Sequence, residues 1–197
     1  MKTVKLTSNP QIENRLQEFI KLNLDDNKAW FSELCFCILT ANSQAQKAID
    51  IQNEIGNDGF INKTEIEIRN IIQKHKHRFH NNKSKYIVEA RKFINIKEYV
   101  TNFKDSKEAR DFIVKNIKGI GFKEASHFLR NVGYHDVAII DRHILRFMHQ
   151  QNLIPEIPKT ITKKLYLELE NKLNIFEIPM DKLDLIIWEK MTGKVLK

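Results

Sequence analysis

From Pro10 onward, apolar side chains recur at three- and four-residue spacing, and alternation of the strand type is scarce and short. Pro10–Asn23 sets Ile12, Leu16, Phe19 and Ile20 on one helical face, with Asn9 placed to cap it and Pro10 suited to a first turn. A second helix is predicted from about Lys28 to Leu39, with Asp25, Asp26 and Asn27 as sources of a capping oxygen. Its apolar residues (Trp30, Phe31, Leu34, Cys35, Phe36, Ile38, Leu39) surround the axis, so it should lie buried at the centre of the core. Asn42 falls in the small polar break that follows. Further helices are predicted over 45–55, ending at Gly56, and over 64–74, with Thr64 as cap. His75–Lys85 (HKHRFHNNKSK) reads as a strongly basic loop carrying one aromatic, Phe79. Helix resumes over 85–93, and Ser106 is the expected cap of the next one. The segments 162–173 and 180–191 close the chain. The pattern is that of an all-α protein of about nine to eleven helices, with no internal repeat and no low-complexity linker.

Only six glycines and four prolines interrupt the 197 residues. With 42% hydrophobic residues the chain can bury a core, so wholesale disorder is excluded. No apolar run is long enough to span a bilayer. Met1–Asn9 is basic but lacks the apolar stretch of a secretion signal, which points to a cytoplasmic protein. The 33 Lys and Arg against 25 Asp and Glu leave a net charge of +8, and a basic excess of this size favours a polyanionic partner. The two cysteines, Cys35 and Cys37, lie inside an apolar run. They are too few for a disulfide framework, a four-cysteine zinc site or an iron–sulfur cluster, and they read as reduced core residues.

The stretch Val114–Met148 carries the chemistry. Gly119-Ile120-Gly121 sits between two helical segments and reads as a hairpin over 117–122. Glycines there leave main-chain amides bare at the start of the following helix, where the dipole also attracts an anion such as a phosphate. Ile120 should plug the turn into the core. The plain alternative is a tight turn between packed helices. Lys123 lies at the first turn of the second helix. A lysine beside a positive helix end and other cations is held less firmly as an ammonium, and a free amine can form a Schiff base. Read blandly, it is one more solvated lysine. Asp141 follows the apolar run Val137–Ile140 and can cap the helix beginning at Arg142. A carboxylate held at that position stays anionic and can face a developing positive charge.

Lys118-Gly119-Ile120-Gly121-Phe122-Lys123, followed by Asp141, resembles the helix-hairpin-helix DNA glycosylase superfamily. KGIGFKEASHFLRNVGYHDVAIIDRHIL, together with ELCFCILTAN (Glu33–Asn42) and the terminal WEKMTGKVLK, is similar to its archaeal-type 8-oxoguanine DNA glycosylase/AP lyase branch. The resemblance covers essentially the whole chain. It implies two helical subdomains flanking a cleft, one of about 28–135 containing the hairpin, the other of about 1–27 plus 136–197, with no iron–sulfur cluster. It implies double-stranded DNA containing 8-oxoguanine as partner, a flipped-out lesion, Lys123 as nucleophile and Asp141 as stabiliser of the sugar cation. It implies no metal and no diffusible cofactor. Phe79 and Trp188 correspond to the aromatic pair that sandwiches the base, and Lys197 to the last residue, whose carboxylate accepts the N7 proton that 8-oxoguanine has and guanine lacks. Gly119 and Gly121 would grip the backbone, Asn42 would fill the gap in the duplex, and Arg78, His80 and Lys83 would touch phosphate or the estranged base. The histidines at 75, 77 and 80 fit no helical face and lack acidic or thiol neighbours in sequence, so a metal site is not expected. A monomer is expected, because one face must receive bent DNA. The competing readings are a helix-hairpin-helix DNA-binding protein without catalysis, for which Lys123 and Asp141 would be superfluous, and a related glycosylase of another base specificity.

Overall fold

The computed structural model describes residues 6–197. Residues 1–5 of the basic leading stretch lie outside the described residues. Eleven α-helices and two short 3-10 turns, and no strand, are found among the described residues. In chain order the helices are α1 (Pro10–Leu24), α2 (Asn27–Thr40), α3 (Ala45–Asn62), α4 (Glu65–Lys74), α5 (His80–Ala90), α6 (Ile96–Thr101), α7 (Ser106–Asn116), α8 (Phe122–Asn131), α9 (Arg142–Gln150), α10 (Lys163–Leu173) and α11 (Met180–Thr192). None is long and apolar enough to cross a membrane.

Short polar side chains set most of the starts. Asn9 accepts from the Ile12 amide at 3.0 Å with Pro10 leading α1, and Asp26 accepts from Ala29 at 3.0 Å to open α2. Thr64 and Glu67 exchange bonds in a capping box at α4. The start of α7 differs from expectation. Asp105, not Ser106, takes the amides of Lys107 and Glu108, both at 2.9 Å, which leaves the Ser106 hydroxyl to donate to Asp136 at 2.6 Å. The helix expected to end at Gly56 instead bends there and continues to Asn62, because glycine accommodates a φ of 70° within the run. The basic loop is also shorter than expected, since α5 already begins at His80.

As the sequence implied, α2 is the central helix, buried from Trp30 through Thr40. It packs on α3, α5, α6 and α8. Cys35 and Cys37 are free and buried within it, and burial pushes both thiols well above their usual range. One apolar cluster gathers residues from Trp30 to Val137, a second gathers residues from Ala138 to Ile187, and a third joins Ile12 and Phe19 of α1 to Leu185 and Ile186 of α11. A buried bidentate pair crosses between the first two clusters. Arg110 of α7 meets Glu170 of α10 at 2.6 and 2.9 Å, and Glu170 also accepts from the Ala138 amide at 2.8 Å.

Candidate active site

Between α7 and α8 the chain reverses through the hairpin. Gly119 has a φ of 85°, and a Cβ there would lie 2.4 Å from the Tyr86 ring, so both conformation and space demand glycine. Ile120 is buried, anchoring the turn as expected. Gly121 behaves differently: its φ of −102° is open to any residue, and what matters is its position as N-cap of α8. Its amide points to Glu124 Oε2 at 3.4 Å.

Lys123 follows in the first turn of α8, partly exposed. It pairs with the Glu124 carboxylate, with Nζ 3.5 Å from Oε1. It lines a cavity of about 690 Å³, a volume suited to an organic ligand the size of a nucleobase with its sugar. Asp141 lines the same cavity at the start of α9. One of its oxygens accepts from the amides of His143 and Ile144, both at 2.8 Å, which fixes the carboxylate at the cavity.

Four further expected residues share this cavity. Trp188 of α11 meets the His143 ring edge-on at 4.6 Å, and its indole nitrogen has no partner. Lys197 lies at the wall with its ammonium 2.7 Å from Glu33 and 2.6 Å from Gln52, above the Phe36 ring. Asn42, exposed and left-handed at a φ of 59°, and Arg78 stand on the lining as well.

The other expected residues are placed differently. Phe79 does not line the cavity; the Arg78 guanidinium lies over its ring at 4.5 Å. His80 turns inward to the main-chain oxygen of His77 at 3.2 Å, and its neighbours His75 and His77 take unrelated partners, Glu54 and the main-chain oxygen of Leu39. Lys83, expected at a phosphate, is buried. Its ammonium donates to the main-chain oxygen of Ile38, near the end of α2, at 2.6 Å, and burial lowers its pKa to about 8. A direct phosphate contact by Lys83 is therefore corrected to a structural role.

The cavity also contains residues the sequence reading passed over. His127, Arg130 and Asp184 all line it. His127 is buried with no partner of ordinary geometry for either ring nitrogen, and burial holds it well below the usual histidine range, so it is neutral. Asp184 is paired with Arg130, yet burial raises its pKa to about 6. A signal existed on α8: Lys123, His127 and Arg130 recur at i, i+4 and i+7, a polar stripe on one face of the helix.

A hairpin offering amides at the start of a helix, a lysine in the first turn of that helix and a fixed carboxylate lining the same base-sized cavity define the frame of the helix-hairpin-helix DNA glycosylases. The family model for 8-oxoguanine DNA glycosylase matches residues 12–181. The 8-oxoguanine DNA glycosylase/AP lyase of Methanocaldococcus jannaschii is 53% identical over 190 residues, spanning 94% of this chain and 91% of that one. The corresponding protein of Aquifex aeolicus is 45% identical, spanning 89% and 82%. The crystal structure of the M. jannaschii glycosylase/lyase in complex with 15mer DNA containing 8-oxoguanine superposes with a TM-score of 0.91 at 52% identity, covering 94% of this chain and 91% of that one. The Thermotoga maritima 8-oxoguanine DNA glycosylase superposes at 0.89 with 42% identity, covering 95% and 92%. The chain belongs to the 8-oxoguanine DNA glycosylase family.

Proposed function

We propose that this protein excises 8-oxoguanine from double-stranded DNA and then cleaves the strand at the resulting abasic site. The carrying observation is the shared cavity of Lys123 and Asp141 beside the hairpin. The hairpin amides and the +8 charge hold the backbone, and the damaged nucleotide swings out of the stack to enter the cavity. The two sets of helices, about 28–135 and about 1–27 plus 136–197, act as the two walls of the cleft, and one protein molecule suffices for one lesion.

The chemistry follows from an amine and a carboxylate. Lys123 Nζ attacks C1′ of the deoxyribose as the C1′–N9 bond breaks, and the departing base takes up a proton. Asp141, anchored by two amides, stabilises the cationic sugar and accepts protons leaving the nitrogen. Opening of the sugar ring gives an imine between Nζ and C1′. The imine acidifies the C2′ proton, and its loss expels the 3′ phosphate by β-elimination. Lysine itself is the electron sink, so the reaction needs no metal or diffusible cofactor.

Recognition falls to the rest of the lining. Trp188 supplies one stacking face, and Phe79 supplies the other once Arg78 leaves its ring for a phosphate. Such stacking is worth about 1–3 kcal/mol per base. The Lys197 ammonium is committed to Glu33 and Gln52, and in this reading a main-chain oxygen of the same residue, which lines the cavity, accepts the N7 proton of 8-oxoguanine. With guanine that acceptor loses its partner, which is the strong form of discrimination. Asn42 fills the gap left in the duplex.

A labelled duplex with one 8-oxoguanine tests the reading. Incision at the lesion without added metal is expected, and an intact strand beside an undamaged control would refute it.

A further inference from the structure

Along the cavity, buried and half-buried polar side chains form one continuous hydrogen-bonded chain. Lys197 Nζ binds Glu33 Oε2 at 2.7 Å and Gln52 Oε1 at 2.6 Å. Gln52 Nε2 returns a bond to Glu33 Oε2 at 3.2 Å, and the other Glu33 oxygen accepts from the Asn131 amide. Asn131 Oδ1 accepts from Arg130 Nε and Nη2 at 3.0 and 2.8 Å, and Arg130 Nη1 pairs with Asp184. Asp184 lines the cavity with Lys123 and Asp141. The chain therefore runs from the base-facing Lys197 to the reacting end.

Glu33 is its hub, and an anomalous one. It is the sole acidic residue of α2, the most apolar helix of the fold, and it is 2% exposed. A carboxylate there is costly unless its oxygens are partnered, and both are, by Lys197, Gln52 and Asn131. Each partner comes from a different segment: α3, α8 and the chain beyond α11. Nothing in the chemistry of Lys123 and Asp141 calls for an anion inside α2. Its geometry serves the placement of Lys197.

We infer that Glu33 is a positioning residue for base recognition: by clamping the Lys197 ammonium with Gln52, it fixes the main chain of Lys197 at the cavity and so sets the preference for 8-oxoguanine. The inference rests on the proposed function. It is distinguishable from it, because the lyase step on an abasic site presents no base to recognise.

The test compares Glu33→Gln with the wild type on two duplexes, one carrying 8-oxoguanine and one a preformed abasic site, under single-turnover conditions. Base excision should fall about tenfold or more, while abasic-site incision stays within about threefold. Gln52→Ala, which removes the second clamp from a less buried position, should shift the same ratio in the same sense by a smaller factor. Should Glu33→Gln fail to fold, Gln52→Ala decides alone. Equal losses on both substrates, or an unchanged ratio in the folded variants, would overturn the positioning role. Loss of both activities in the wild type would instead overturn the underlying function.

Discussion

The Lys123 ammonium lies 3.5 Å from the carboxylate of Glu124, its neighbour in the first turn of α8. Glu124 also receives the Gly121 amide at 3.4 Å, so it occupies the donor that a phosphate would use. On the proposed grip, a phosphate would have to displace it. Glu124→Gln keeps an acceptor and removes one negative charge from the grip. Binding to a duplex should tighten about fivefold at low salt, the equivalent of about 1 kcal/mol, with the gain shrinking as salt rises. Fluorescence anisotropy at two salt concentrations measures this, and equal affinity for the two proteins would show that Glu124 does not compete.

Asp141 caps α9, and the proposed mechanism gives it a second task that one substitution separates from the first. Asparagine caps a helix as well as aspartate does, so Asp141→Asn should fold normally, within a few tenths of a kcal/mol of the wild type. On the proposed mechanism the lost anion no longer stabilises the sugar cation, so excision should fall about 100-fold or more with DNA affinity retained. Thermal melting and single-turnover excision together decide. Unimpaired excision would remove Asp141 from the mechanism.

The hairpin glycines should respond unequally. Gly119→Ala forces a positive φ on alanine and drives its Cβ into the Tyr86 ring, a cost of about 1–3 kcal/mol before the clash is counted. Gly121→Ala meets only Glu124 Oε2 at 3.4 Å and keeps an ordinary φ, so its cost should stay near that of a weakened cap, about 1 kcal/mol. Urea denaturation ranks them, and equal costs would show that the tight turn is not what Gly119 serves.

Lys83 makes stability depend on pH in a defined direction. Its folded pKa, about 8, lies below the unfolded value near 10.5, so its contribution is complete above about pH 10.5 and is lost as pH falls through 8. Relative to Lys83→Met, the wild type should lose on the order of 2–3 kcal/mol between pH 10.5 and pH 7.5. The salt dependence of DNA binding should be the same in both. Parallel stability curves would mean that the ammonium is not held in a dry environment.

What the sequence disclosed and what it concealed divide by the range of the interaction. The burial of α2, the caps at Asn9 and Thr64, the hairpin and the helix opening at Asp141 all follow from residues within a turn or two of each other, where spacing is informative. The six-residue α6 is too short to show a period, and the first turn of α5, His-Asn-Asn-Lys, carries no apolar pattern. The burial of Lys83 depends on a main-chain oxygen 45 positions away, and the Glu33–Asn131 bond spans 98. No local pattern reports such partners. The resemblance assigns Phe79 to the base pocket, and only the folded chain shows its neighbour Arg78 lying over the ring.

The most direct measurement is reductive trapping of the enzyme–DNA imine. The protein is incubated with an 8-oxoguanine duplex and borohydride and resolved on a denaturing gel. A protein–DNA adduct should form with the wild type and vanish in Lys123→Gln, which still binds the duplex. An adduct of undiminished yield in Lys123→Gln would mean that another amine attacks the sugar.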